Sequence, residues 1–198
     1  MLILGSKLLD QSILSLQVGG QIASTLEPII DPSNLKIIAY TLSGPLIDKS
    51  PENVLLTNDI REFSRMGFII DSIDDLVDPN EIIKLKNILK LNFKLIGHRV
   101  ETVKSKKIGK VIDFTVDSST FSIYQLVVKR PALKALNDPE LTINRSQIVE
   151  IDDDKVVIKN EEETVKAPVV TKEQFSPDFI NPFRKEKSPT PAEATNTK

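Results

Sequence analysis

Short apolar runs separated by polar turns fill most of the first 160 residues. Five stretches rich in Val, Ile, Phe and Thr (99–104, 108–116, 121–128, 147–151 and 155–159) read as strands. Polar breaks at 104–107, 117–119 and 152–154 separate them, and 18–20 and 31–34 are the matching breaks earlier in the chain. Close, regular turns with no long helix between them predict an antiparallel barrel or sandwich. One helix stands apart. Asp78 suits its N-cap, Pro79 its first position and Glu81 its first turn, and Ile82, Leu85, Ile88 and Leu89 share a face. It is expected to pack over a barrel mouth.

The strand pattern is duplicated. With the chain shifted by 86 positions, 22–42 lies over 108–128 without a gap, and Ile22/Ile108, Asp31/Asp117, Ser33/Ser119 and Ile37/Ile123 are identical. Further on the offset becomes 88. Glu62 then meets Glu150, and Phe68, Ile69 and Ile70 meet Val156, Val157 and Ile158. The expectation is an all-β chain with two tandem small antiparallel β-barrels joined by a short α-helix. The domains would span 1–77 and 93–160, with the helix at 78–92. A repeat of about 65 residues is marginal alone, so the two should share an interface.

The blocks GHRVETVKSKKIGKVIDFTVD, IYQLVVK and INRSQIVEIDDDKVVIK in the second repeat resemble the PRC-barrel family, which includes the C-terminal domain of the ribosome maturation factor RimM. The first repeat follows the order more loosely, with QVGGQIA as its hairpin and Ala23 where the second has Gly109. The resemblance implies a structural, non-catalytic barrel. It offers a protein-interaction adaptor as the first functional expectation, and an RNA- or ribosome-associated factor as the alternative.

Charge refines this picture. Of 198 residues 40% are hydrophobic and 27% charged, with a net charge of −2, so a globally basic nucleic-acid binder is excluded. Residues 1–92 carry 8 basic and 12 acidic side chains, whereas 93–160 carry 12 and 9. The excess gathers at Lys104, Lys106, Lys107 and Lys110 and again at Lys129, Arg130 and Lys134. Such a patch suits RNA or another anion, although lysines at a hairpin tip also serve solubility and edge protection.

Catalytic chemistry finds little footing. There is no cysteine and a single histidine, which leaves no thiolate metal site, cysteine nucleophile or serine–histidine triad. No cofactor or metal is expected, and an enzyme is not. His98 reads as a turn or barrel-edge residue. The acids at 152–154 and at 71, 74, 75 and 78 read as an exposed hairpin tip and as residues favoured before a helix N-terminus. No apolar run is long enough to cross a bilayer and no secretory signal is evident, so a cytoplasmic protein without membrane insertion is expected.

Beyond residue 160 the pattern stops. The last 38 residues hold five prolines, no glycine and few aliphatic side chains, which predicts a disordered tail at 161–198. Within it Phe175, Phe179 and Phe183 recur every fourth residue beside Arg184, a candidate motif for docking in a partner's groove or back on the barrels.

Overall fold

The computed structural model describes residues 1–44, 53–131 and 139–159, all within one compact unit. Among them the first half of the chain forms β1 (Leu2–Leu4), β2 (Ser12–Ser15), β3 (Gly20–Asp31), β4 (Lys36–Ser43), β5 (Val54–Leu56), β6 (Glu62–Ser64), β7 (Gly67–Ile70) and β8 (Leu76–Val77). The helix α1 (Ile83–Lys90) follows. The second half forms β9 (Arg99–Thr102), β10 (Lys107–Asp117), β11 (Ile123–Lys129), β12 (Glu140–Asn144), β13 (Ile148–Ile151) and β14 (Lys155–Ile158). The predicted tail and its Phe175, Phe179, Phe183 and Arg184 lie outside the described residues, as does Lys134.

The strands make two sheets. The first runs β6-β7-β2-β3-β4-β5-β8 and the second β13-β14-β9-β10-β11-β12, with β1 pairing along the far end of β10. From β6 to β5 the first order reproduces the second strand for strand, so the duplication is present in the topology.

Two parts of the barrel expectation need correction. Among the described residues neither sheet closes: β6 and β8 are the ends of one, β12 and β13 of the other. Nor is the pairing wholly antiparallel, because β2 pairs β7, and β9 pairs β14, in parallel. The two sheets nevertheless share a core. Ile13, Ile37, Tyr40 and Phe68 of the first sheet and Val100, Phe114, Ile123 and Leu126 of the second belong to one buried cluster. The first sheet curls strongly, since Tyr40 on β4 and Phe68 on β7, three strands apart in its order, bring their ring centres within 5.6 Å, and it meets the second repeat where Phe121 packs on both rings. The two repeats therefore share an interface, and it joins their cores.

The four identities between the repeats each do a job twice. Ile22 and Ile108 are the extra residues of matching β-bulges, opposite Ile13/Leu14 on β2 and Val100/Glu101 on β9, and both are buried. Asp31 accepts hydrogen bonds from the amide and hydroxyl of Ser33, and Asp117 accepts the same pair from Ser119. These side-chain-closed turns reverse the chain between β3 and β4 and between β10 and β11. Ile37 and Ile123 then open the returning strands and are fully buried. The two turns meet: the amide of Ile37 donates to the carbonyl of Phe121 at 2.9 Å, and the amide of Ile123 donates to that of Leu35 at 2.8 Å.

The helix begins later than expected. Asp78 accepts the Asn80 amide at 2.7 Å but caps a 3-10 turn over Pro79–Glu81, and the α-helix proper opens at Ile83. Leu85 and Ile88 are buried against Ile29, Ala39 and Val54, a small second core on the first sheet. Leu89 is exposed instead. No helix among the described residues is long and apolar enough to cross a membrane.

Candidate functional site

Strand register in the second sheet aligns cations that are far apart in sequence. Lys155 on β14 stands opposite Arg99 on β9, Arg99 opposite Lys110 on β10, and Lys110 opposite Lys129 on β11. Registered neighbours share a face and lie about 4.8 Å apart from strand to strand. The result is a basic row across four strands, ended on β12 by Glu140 opposite Lys129.

The first sheet supplies an internal comparison. At the equivalent registers it carries Gly67, Ser12, Ser24 and Ser43. Gly67 there must lack a Cβ, which would lie 2.1 Å from the Ser12 carbonyl oxygen. The same geometric row is thus uncharged in one repeat and cationic in the other. Like charges directly opposite one another destabilise a sheet. The first repeat avoids that cost and the second bears it.

Part of the charge is already balanced. Asp154 pairs with Arg99, while Asp152 at 3.4 Å and Glu101 at 3.5 Å hold Lys155. The hydrogen bond to Asp152 and the charges of Asp152 and Glu101 raise the Lys155 pKa above its ordinary value. Among the described residues no carboxylate pairs with Lys110 or Lys129. The Nε of Arg130 is buried there without a hydrogen-bond acceptor among the described residues.

Three cations of the row, Arg99, Lys110 and Lys129, border a groove of about 470 Å³. Its charged sides are Arg99, Lys107, Lys110, Lys129 and Arg130, with Glu101 among them. Val100, Gly109, Ile112 and Pro131 form its apolar part. Gly109 is needed at this place, since a Cβ would lie 2.1 Å from the Lys129 carbonyl oxygen. In the first repeat the glycine sits on the other strand: Ala23 replaces Gly109, and Gly44, whose Cβ would come 3.1 Å from the Ala23 Cα, stands where the second repeat has Arg130. Moving the glycine to β10 is what leaves room for an arginine beside the groove.

The sequence-expected patch is thereby divided. Lys107, Lys110, Lys129 and Arg130 line the groove, whereas Lys104 and Lys106 sit in the exposed turn between β9 and β10, where the Thr102 hydroxyl accepts both their amides. Arg99, Lys155 and the apolar Ile112 were not singled out from sequence. Only strand register could have found them, because they are 56 residues apart at the extremes.

The other chemical candidates have structural duties. His98 is buried rather than at an edge, with its Nε2 3.1 Å from the Asp152 carbonyl oxygen and its ring edge-on to Phe93 at 5.1 Å. Asp75 accepts the amides of Asp71 and Ser72 in a capping box. Among the described residues no group of three or more His, Cys, Asp or Glu is placed to hold a metal ion. No protein-family model matches the chain, and no curated protein matches it.

Proposed function

We propose that this chain is a non-enzymatic binding module whose second sheet holds a phosphate-bearing polymer, with RNA as the partner. The observation that carries the reading is the row Lys155, Arg99, Lys110 and Lys129, set at registers where the first repeat has only glycine and serine. Lys110 and Lys129 have no carboxylate partner among the described residues, so an incoming phosphate meets cations that need not first leave an ion pair. Binding would release counterions from the polymer and weaken as salt rises. A PRC-barrel-like ancestry belongs to the same proposal and is supported by the duplicated strand order. The adaptor reading through Phe175, Phe179, Phe183 and Arg184 concerns residues outside the described ones, and the groove alone supports a function here.

The test borrows from the first repeat. Lys110→Ser and Lys129→Ser install the residues that the equivalent positions already carry, so folding should survive. Retention of a labelled RNA, followed across salt concentrations, should fall for the double variant. The slope of log affinity against log salt should flatten by about 0.7 to 0.9 for each phosphate that the variant leaves unneutralised. Wild-type protein that fails to bind RNA at low salt, or a double variant that binds as well as wild type, would overturn the reading.

A further inference from the structure

The groove does not stop at the cations. Ile112 lines both the cationic groove and a neighbouring depression of about 210 Å³, which it shares with Pro28, Ile96 and Phe114. That depression leads, through Pro28, Ile96 and Phe114 again, into another of about 330 Å³ that adds Leu26 and Phe93. Ile112, Leu26 and Ile96 are 39%, 44% and 50% exposed, so the trough presents apolar side chains to solvent along its length. Leu26 and Ile112 occupy equivalent bulged positions of β3 and β10, so the bulges turn both side chains outward on this side.

Charge is segregated along this path. The trough's carboxylates are committed: Asp113 accepts the amide and hydroxyl of Ser6, and Glu27 pairs with Lys94 at 3.4 Å. Those carboxylates repel a phosphate, and Lys94 is already paired. One end of the path thus suits anions and the rest suits uncharged, flat, apolar groups.

The geometry points to a single-stranded nucleic acid as the ligand, with phosphates on the Arg99–Lys110–Lys129 row and unstacked bases in the trough beside Ile112, Ile96 and Phe93. This inference rests on the polyanion reading and adds the strandedness of the partner. A duplex keeps its base faces stacked inside and can use only the cations. Single strands offer base faces, and Phe93, half-buried in the trough wall with its ring 5.1 Å from that of His98, supplies an aromatic contact for one. A lipid surface fits less well, because a planar membrane does not reach into a recessed trough.

The experiment uses the full chain and four probes. These are a short single-stranded RNA, the same sequence as a duplex, inorganic polyphosphate, and vesicles of phosphatidylcholine with phosphatidylserine. The single strand should bind tightest at fixed salt. Ile96→Ser with Leu26→Ser, both outside the cationic groove, should weaken the single strand about ten-fold or more while leaving polyphosphate binding unchanged. Leu26→Ser alone, at the far end of the trough, gives a second reading if the double variant melts early. Equal binding of the single strand, duplex and polyphosphate, unaffected by either variant, would overturn the single-strand inference and leave the polyanion reading standing. Failure to bind all three would overturn both. Binding to vesicles without binding to RNA would also overturn both, in favour of a membrane surface.

Discussion

Leu35 and Phe121 occupy the same turn position in the two repeats, and each lends its carbonyl to the other repeat's returning strand. Both are in the left-handed backbone region, with φ of 46° and 56°. Bulky residues adopt that conformation at a cost of roughly 1–3 kcal/mol. Both side chains are buried, and Phe121 packs on Tyr40 and Phe68 across the sheet junction, with ring centres 6.4 and 6.1 Å apart. Packing across the junction offsets the strain of the turns.

Ile37 and Ile123 follow those turns and should be equally sensitive. Ile37→Ala or Ile123→Ala should each destabilise by about 2–5 kcal/mol, because both side chains are fully buried. Urea unfolding measures it. The double variant should depart from the sum of the singles, since both residues brace one junction. Two unchanged midpoints would remove the duplicated core.

Tyr40 should tolerate loss of its hydroxyl. The oxygen is buried with no hydrogen-bond partner among the described residues, and burial pushes the phenol's pKa well up. Tyr40→Phe should leave stability unchanged or raise it by about 1 kcal/mol, as an unpaired buried polar group is relieved. A clear loss in a thermal melt would reveal a partner for that hydroxyl.

Gly109 and Gly20 should respond oppositely to alanine. Gly109→Ala would force β10 away from the Lys129 carbonyl and should cost more than about 1 kcal/mol, with the groove distorted as well. Gly20→Ala meets nothing within 4 Å and should be neutral or slightly stabilising. Parallel melts of the two variants check this.

The paired turns should make the protein acid-sensitive. Burial alone would raise the Asp31 pKa, but the Ser33 hydroxyl and amide and the Lys84 ammonium lower it below the ordinary carboxylate value. The Ser119 side chain and amide lower Asp117 likewise. A carboxylate whose folded pKa is depressed contributes stability above its unfolded pKa, near 4, and loses it as pH falls through the folded value. Melting temperature should therefore drop below about pH 4. Asp31→Asn and Asp117→Asn should each lower it at neutral pH and flatten the acid limb. An unchanged pH profile in both variants would show that these turns do not carry the effect.

Much of the fold was legible in the sequence by itself. Alternating apolar runs and polar breaks located most strands, because side-chain period and turn chemistry are local properties. The four shared residues announced a duplication, and each proved to hold a bulge, a turn or a strand start in both copies. Asp78 marked the start of a helical segment, although Pro79 to Glu81 closed only a 3-10 turn before the α-helix. The lysine-rich segments drew attention to the repeat that carries the groove.

Only the tertiary structure decided the rest. The parallel pairs β2–β7 and β9–β14 join segments more than 50 residues apart, and no local pattern distinguishes them from antiparallel partners. The open edges of both sheets and the core they share are likewise set by contacts between distant strands. Arg99 and Lys155 joined the site through register alone. Lys104 and Lys106 left the groove because a bulge and a turn place them past its end. A one-residue change of register turns every side chain of a strand to the opposite face, so which cations share a surface is settled by pairing and not by their spacing along the chain.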